Sequence, residues 1–154
     1  MKQILIIGLL LVLLSCGEDD DAAISRANII GTWTMQIDSI NTELEFIFEG
    51  NGNISIGRAI KSQEDAVTGA KCYTEIQLGQ YELNGGTVTM ELNTLLVWAG
   101  GAICAPKEIL FSSPINPTET GEAIAAINRE ENRLQLTFAP GNDLSEFGTV
   151  LLVK

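Results

Sequence analysis

The chain contains no histidine. That absence excludes every histidine-dependent catalytic triad and every histidine-ligated zinc or haem site. Basic residues are also scarce: nine lysines and arginines stand against 20 acids in 154 residues. A surface this acidic argues against nucleic acid, or an anionic bilayer, held through a basic patch. Only three cysteines occur, too few without histidine for an ordinary zinc site. No strong amphipathic helical period appears after the first 15 residues, and there is no fixed-period repeat.

What is present begins with one long apolar run. "MKQILIIGLLLVLLSC" places Lys2 before an uncharged stretch, Ile4 to Leu14. The run is short of the roughly 20 residues that a membrane-spanning helix needs, and it fits a secretory leader. It ends in Leu13-Leu14-Ser15-Cys16, which resembles the lipobox of bacterial lipoproteins. The resemblance implies cleavage before Cys16, lipidation of Cys16 (palmitate among the acyl chains) and attachment to the outer membrane. Each buried CH₂ of an acyl chain contributes about 0.8 kcal/mol of anchoring. The acids that follow, Glu18-Asp19-Asp20-Asp21, resemble the surface-export signal of Bacteroidetes-type lipoproteins and imply a place on the cell surface. They also suit a solvated tether. Nine basic residues less Lys2 leave eight against 20 acids, a net charge of −12 after cleavage. The expected organisation is a cleaved leader over 1–15, a lipidated cysteine and acidic tether over 16–28, and one domain over 29–154.

From Ile29 onward the pattern has period two, which is that of β-strands. "GTWTMQIDSI" sends Trp33, Met35 and Ile37 one way and Thr32, Thr34, Gln36 and Asp38 the other. "TELEFIFE" turns Leu44, Phe46 and Phe48 inward and Glu43, Glu45 and Glu49 outward, a solvated acidic face. "NISIGRAI" adds Ile54 and Ile56 to the inward set. "KCYTEIQL" places Cys72, Thr74, Ile76 and Leu78 together on one face. "GQYEL" and "TVTMEL" flank the turn Asn84-Gly85-Gly86 and contribute Tyr81, Leu83, Val88, Met90 and Leu92. "NTLLVWAGGAICAPKEILF" fits a strand, a short helix or a loop across an opening. "SSPINPTETG", with two prolines, reads as a loop. "EAIAAINREENRLQLTF" and "FGTVLLV" supply the last strands, with Leu134, Leu136 and Phe138 inward.

Eight or nine short strands joined by tight turns predict an all-β fold. A closed antiparallel barrel removes both sheet edges, and a two-sheet sandwich is the other solution. Ile30-Gly31-Thr32-Trp33 at the head of the first strand resembles the Gly-x-Trp signature of lipocalins. That resemblance covers about residues 29–153, through "FIFEGNGNI", "GQYELNGGTVTMEL" and "NRLQLTF". It implies an up-and-down barrel of eight strands, with Trp33 closing its base. A basic residue packs on that tryptophan in many lipocalins; Arg133 and Arg129 are the candidates.

Two cysteines remain once Cys16 is lipidated. Outside the cytoplasm Cys72 and Cys104, 32 positions apart, are expected to form a disulfide. Nothing in the chain assembles a nucleophile, a base and an oxyanion hole, so no enzyme activity, cofactor or metal is expected. Trp33, Met35, Phe46, Phe48, Tyr81, Met90 and Phe138 either fill the barrel or line a small apolar pocket, with Trp98 and Leu95–Val97 as its lid. The expected partners are the membrane, through the lipid anchor, and a small hydrophobic ligand or an envelope protein. The alternative is a structural or interaction module with a filled barrel and no ligand.

Overall fold

The computed structural model describes residues 24–37, 41–63, 70–100 and 102–154. Cys16 and the acidic segment after it lie outside the described residues. Eight antiparallel strands follow one another around a closed barrel, each paired with the next in sequence. They are β1 (Gly31–Ile37), β2 (Thr42–Phe48), β3 (Asn53–Ile60), β4 (Tyr73–Asn84), β5 (Thr87–Val97), β6 (Phe111–Asn128), β7 (Arg133–Phe138) and β8 (Thr149–Val153). The barrel expectation holds, and the sandwich is excluded. β1 and β8 close the ring through one pair, Thr34 with Val153, so this seam is the thinnest part of the wall.

The turns explain the meander. β4 and β5 meet at Asn84–Thr87, leaving Gly85 and Gly86 as a two-residue loop with φ of 57° and 87°. Two successive positive φ angles define the hairpin turn whose twist matches that of its strands, and glycine adopts them without steric cost.

Directly paired residues share one face of a sheet, so the register identifies the interior row by row. Trp33 pairs with Phe46, Phe46 with Ile56, and Met90 with Tyr81. Val88 pairs with Ala123, Ala123 with Phe138, and Leu136 with Val150. All of these are buried.

At the base, helix α1 (Arg26–Ile29) lies under the barrel with Ile29 fully buried. Ile24, before it, packs against the core. The indole Nε1 of Trp33 donates to the Ile29 carbonyl at 2.7 Å. The hydroxyl of Tyr81 donates to the Glu49 carbonyl at 3.0 Å. The cation over Trp33 is Lys154, with Nζ 5.0 Å from the ring centre and donating to the Ile30 carbonyl at 3.0 Å. Arg129 and Arg133 do not fill that place; Arg133 instead pairs with Glu131 at 2.9 Å. The C-terminal residue returns beside β1, which brings it within reach of the indole.

Two segments differ from the sequence expectation. "SSPINPTETG" is strand, not loop: β6 runs unbroken from Phe111 to Asn128 and pairs with β5 at both ends of the segment. β4 is one 12-residue strand with the opposite phase. Glu75 and Gln77 face inward, opposite Arg58 and Ile56, while Ile76 is buried on the outer face. The strand keeps that phase through Gly79 to Tyr81 and Leu83; the register shift against β5 falls at Asn93, the extra residue between Leu92 and Thr94.

Candidate functional site: a plugged barrel, its rim and an outer clamp

The lower and middle barrel is packed with side chains. Phe46, Met90, Leu92, Leu134, Leu136 and Leu152 have no solvent exposure, and Phe48, Trp33, Tyr81 and Phe138 have at most 5%. The aromatic rings form one cluster: Phe48 meets Tyr81 edge-on at 5.0 Å, and Phe46 lies 6.5 Å from Phe138. From above, the turn Ser145–Phe147 lowers a plug into the ring. Phe147 sits 6.0 Å from Phe46 and 5.5 Å from Phe138, and Leu144 is 1% exposed. A Cβ on Gly121 would lie 2.4 Å from a Leu144 methyl, so the wall leaves room there for the plug and nothing larger.

Six of the eight candidate ligand residues, Trp33, Phe46, Phe48, Tyr81, Met90 and Phe138, are therefore in one packed core. Met35 is half-buried and lines a shallow cleft of about 250 Å³ near the β1–β8 seam, with Ile37, Leu44, Arg58, Phe147 and Val150. Trp98 is not over the core. It lies beyond the end of β5, half-buried, with its ring stacked on Phe111 at 6.3 Å. Its Nε1 is shut from solvent with no hydrogen-bond partner among the described residues.

Above the apolar rows lies a polar layer that sequence reasoning missed. Arg58 pairs across the strands with Leu44 on one side and Glu75 on the other, so it faces the interior side. Its guanidinium contacts Glu75 at 3.1 Å and Glu146 at 3.4 Å and lies over the Phe147 ring. The Gln77 amide donates to Glu119 at 2.9 Å. Arg58 follows two inward isoleucines at a spacing of two, and that spacing was the available signal.

The outer face of β2 carries a second cluster and a correction. Glu45 is not solvated: it is 5% exposed. The Lys71 ammonium donates to both Glu43 and Glu45, and the Tyr73 hydroxyl donates to Glu45 at 2.8 Å. Glu49, farther along the strand, is exposed as expected. The Cys72–Cys104 disulfide is present, with 5.3 Å between the Cα atoms. It joins the segment carrying Lys71 and Tyr73 to the loop after β5, and two backbone hydrogen bonds between Tyr73 and Ala105 reinforce it. Disulfide and ion cluster form one clamp on the outside of the barrel.

Burial alone would lower the Lys71 pKa; hydrogen bonds and charge from Glu43 and Glu45 outweigh it and hold the ammonium above its ordinary value. Burial first, and then the hydrogen bond and charge of Glu45, raise the Tyr73 phenol well above its ordinary value. In both cases the folded protein holds a proton that the unfolded chain releases near pH 10. The clamp's contribution is present below that pH and is lost above it. In urea titrations stability is expected to begin to fall near pH 10, where the unfolded chain loses these protons, and to go on falling as the pH rises toward the higher folded values. A Lys71→Met variant should lose about 2 kcal/mol at neutral pH by leaving Glu45 buried and unpaired, less than for a fully buried pair because Lys71 keeps partial contact with solvent. Unchanged stability in that variant would refute the clamp.

Among the described residues no three acid or thiol side chains are placed to share a metal ion. Comparison with protein families, with curated proteins and with solved structures finds no match.

Proposed function

We propose that the protein is a lipid-anchored envelope module: a lipocalin-like barrel held to the outer membrane, on the cell surface, through acylated Cys16, that works through its outer surface. In this reading residues 1–15 are removed, and the acidic residues after Cys16 space the domain from the bilayer. The barrel is a rigid support and not a container. The packed interior carries the reading: the residues that would line a hydrophobic pocket already fill the space, and Leu144 and Phe147 stop its upper end.

The test is a titration of the purified full-length protein with fluorescent fatty acids, together with native mass spectrometry of protein taken from its own membranes. The expected result is no saturable binding and no mass beyond the chain and its own acyl groups. A stoichiometric hydrophobic molecule in the barrel would overturn it. The anchor has a separate test: palmitate labelling should be abolished in Cys16→Ser, and labelling that persists would refute acylation there.

One observation favours a second reading. The cleft by Met35 and Phe147 is apolar except where Arg58 and Glu146 border it. It has room for a small amphipathic acid, and the same titration would register one.

A further inference from the structure

Three of the six large apolar residues most exposed among the described residues, Ile103 (80%), Ile109 and Phe111, follow one another closely in the loop after β5 and at the first residue of β6. The clamp holds them there, since Cys104 is bridged to Cys72 and Ala105 is hydrogen-bonded to Tyr73. A loop fixed at two points keeps its apolar side chains in water without the freedom to hide them. Such a preorganised patch loses little entropy when it is covered.

The patch continues onto a tall wall. β6 pairs with β7 only from Ala123 down to Asn128, so its upper part, with β5 beside it, stands past the end of β7. The register places Val97 and Phe111 in the row of Arg58 and Glu75, so their side chains lie on the interior side of this wall. Trp98 backs Phe111. At the foot are Glu75, Glu119, Asp143 and Glu146, with Arg58 as the cation among them.

We propose that the upper wall of β5 and β6, with the stapled loop after β5, is a docking surface for an envelope protein that sets apolar side chains against Phe111, Ile103 and Ile109 and basic groups opposite Glu119, Asp143 and Glu146. This deepens the reading of the protein as an anchored interaction module and rests on it. Three observations select the occupant. First, the chain enters at the base beneath α1. If Cys16 carries the lipid, the seven residues between it and Ile24 let the chain reach about 28 Å at full extension. The rim stands about 40 Å above the base for strands of this length and tilt, so the anchoring membrane lies at the other pole. Second, this part of the wall carries four carboxylates against one guanidinium, which pairs with two of them, and the acidic excess repels a second copy of this acidic chain and an anionic surface and attracts a basic one. Third, Pro114 and Pro117, which have no backbone N–H, lie in the part of β6 that β7 does not pair with, which hinders edge-to-edge pairing with another copy. Recognition there falls to side chains.

The test places a photoreactive benzoylphenylalanine at Ile103 in the full-length protein, in its own cells, with Gln135 on the outer face of β7 as the control site. The expected result is one discrete protein adduct from position 103 and none from 135. The captured protein, once purified, should bind the full-length chain, and both Phe111→Ser and Glu119→Lys should weaken that binding at least tenfold without moving the unfolding midpoint. An adduct of twice the chain mass, an adduct with lipid, equal adducts from both positions, no adduct, or unweakened binding in the variants would each overturn the proposal. Palmitate incorporation is measured in the same cells, so a failed anchor registers separately from a failed docking surface.

Discussion

Phe46→Ala should cost about 3–5 kcal/mol of unfolding free energy, the range for deleting a fully buried aromatic ring. Phe46 has no solvent exposure. Its ring meets Phe48 at 6.4 Å, Phe138 at 6.5 Å and Phe147 at 6.0 Å, so it joins the β-wall to the plug. The loss has two parts: the transfer free energy of the removed atoms, and the void left where three other rings cannot follow. Met35→Ala provides the comparison, because Met35 is already half-exposed at the seam and should lose much less. Urea unfolding of the two variants checks this. A difference under about 1 kcal/mol would mean that the interior is loosely filled. The same variant bears on function. If the barrel is a solid support, Phe46→Ala opens a dry apolar void and should gain affinity for small hydrocarbons that the parent protein lacks.

The parts of this fold that could be read from the sequence are those where one face of a strand meets the core and the other meets water. β1 comes near that condition, and in β2 the charged outer side chains keep the alternation even though Glu45 is covered, so the pattern around Trp33 and Phe46 places both correctly. Asn84-Gly85-Gly86 is legible for a related reason, since positive φ at two successive positions demands such residues. β4 was misread because Ile76 is buried on the outer face, where it and Tyr73 flank Gly57, so both faces are partly buried and alternation loses its meaning. β6 was hidden by Pro114 and Pro117, which a strand tolerates where one edge stays unpaired. Glu45 appeared solvated because its partner, Lys71, is 26 positions away and is brought to it by the fold. The plug left no periodic trace. Leu144 and Phe147 are ordinary in "NDLSEFG" until β7 and β8 bring that turn over the ring. What the sequence did locate was the core residues and the Cys72–Cys104 bridge, and what it missed was the polar rim and the ion cluster beside the bridge.

Removing the disulfide should produce the other large effect. Cys72 and Cys104 close a loop of 32 positions, and a crosslink of that span stabilises by about 3–4 kcal/mol through the entropy it removes from the unfolded chain. The paired Cys72→Ala and Cys104→Ala variant should lose about that amount, more than Lys71→Met, because it loosens both halves of the clamp. The neighbours explain why the loss is not confined to the unfolded state. Lys71 and Tyr73 flank Cys72, and their contacts to Glu43 and Glu45 depend on where that segment is held. Freed from the bridge, the segment can lift from β2, expose Glu45 and let solvent reach Ile76. The alkaline loss of stability should then become shallower, since the protons that the clamp retains are no longer held. On the rim, Ile103 and Phe111 should lose their fixed relation, so docking should weaken while the barrel stays closed. In the parent protein neither cysteine should react with an alkylating agent until a reductant is added. Labelling of both in the folded, unreduced protein would show the bridge absent, and a reduced protein that unfolds at the same urea concentration as the oxidised one would show that it carries no stability.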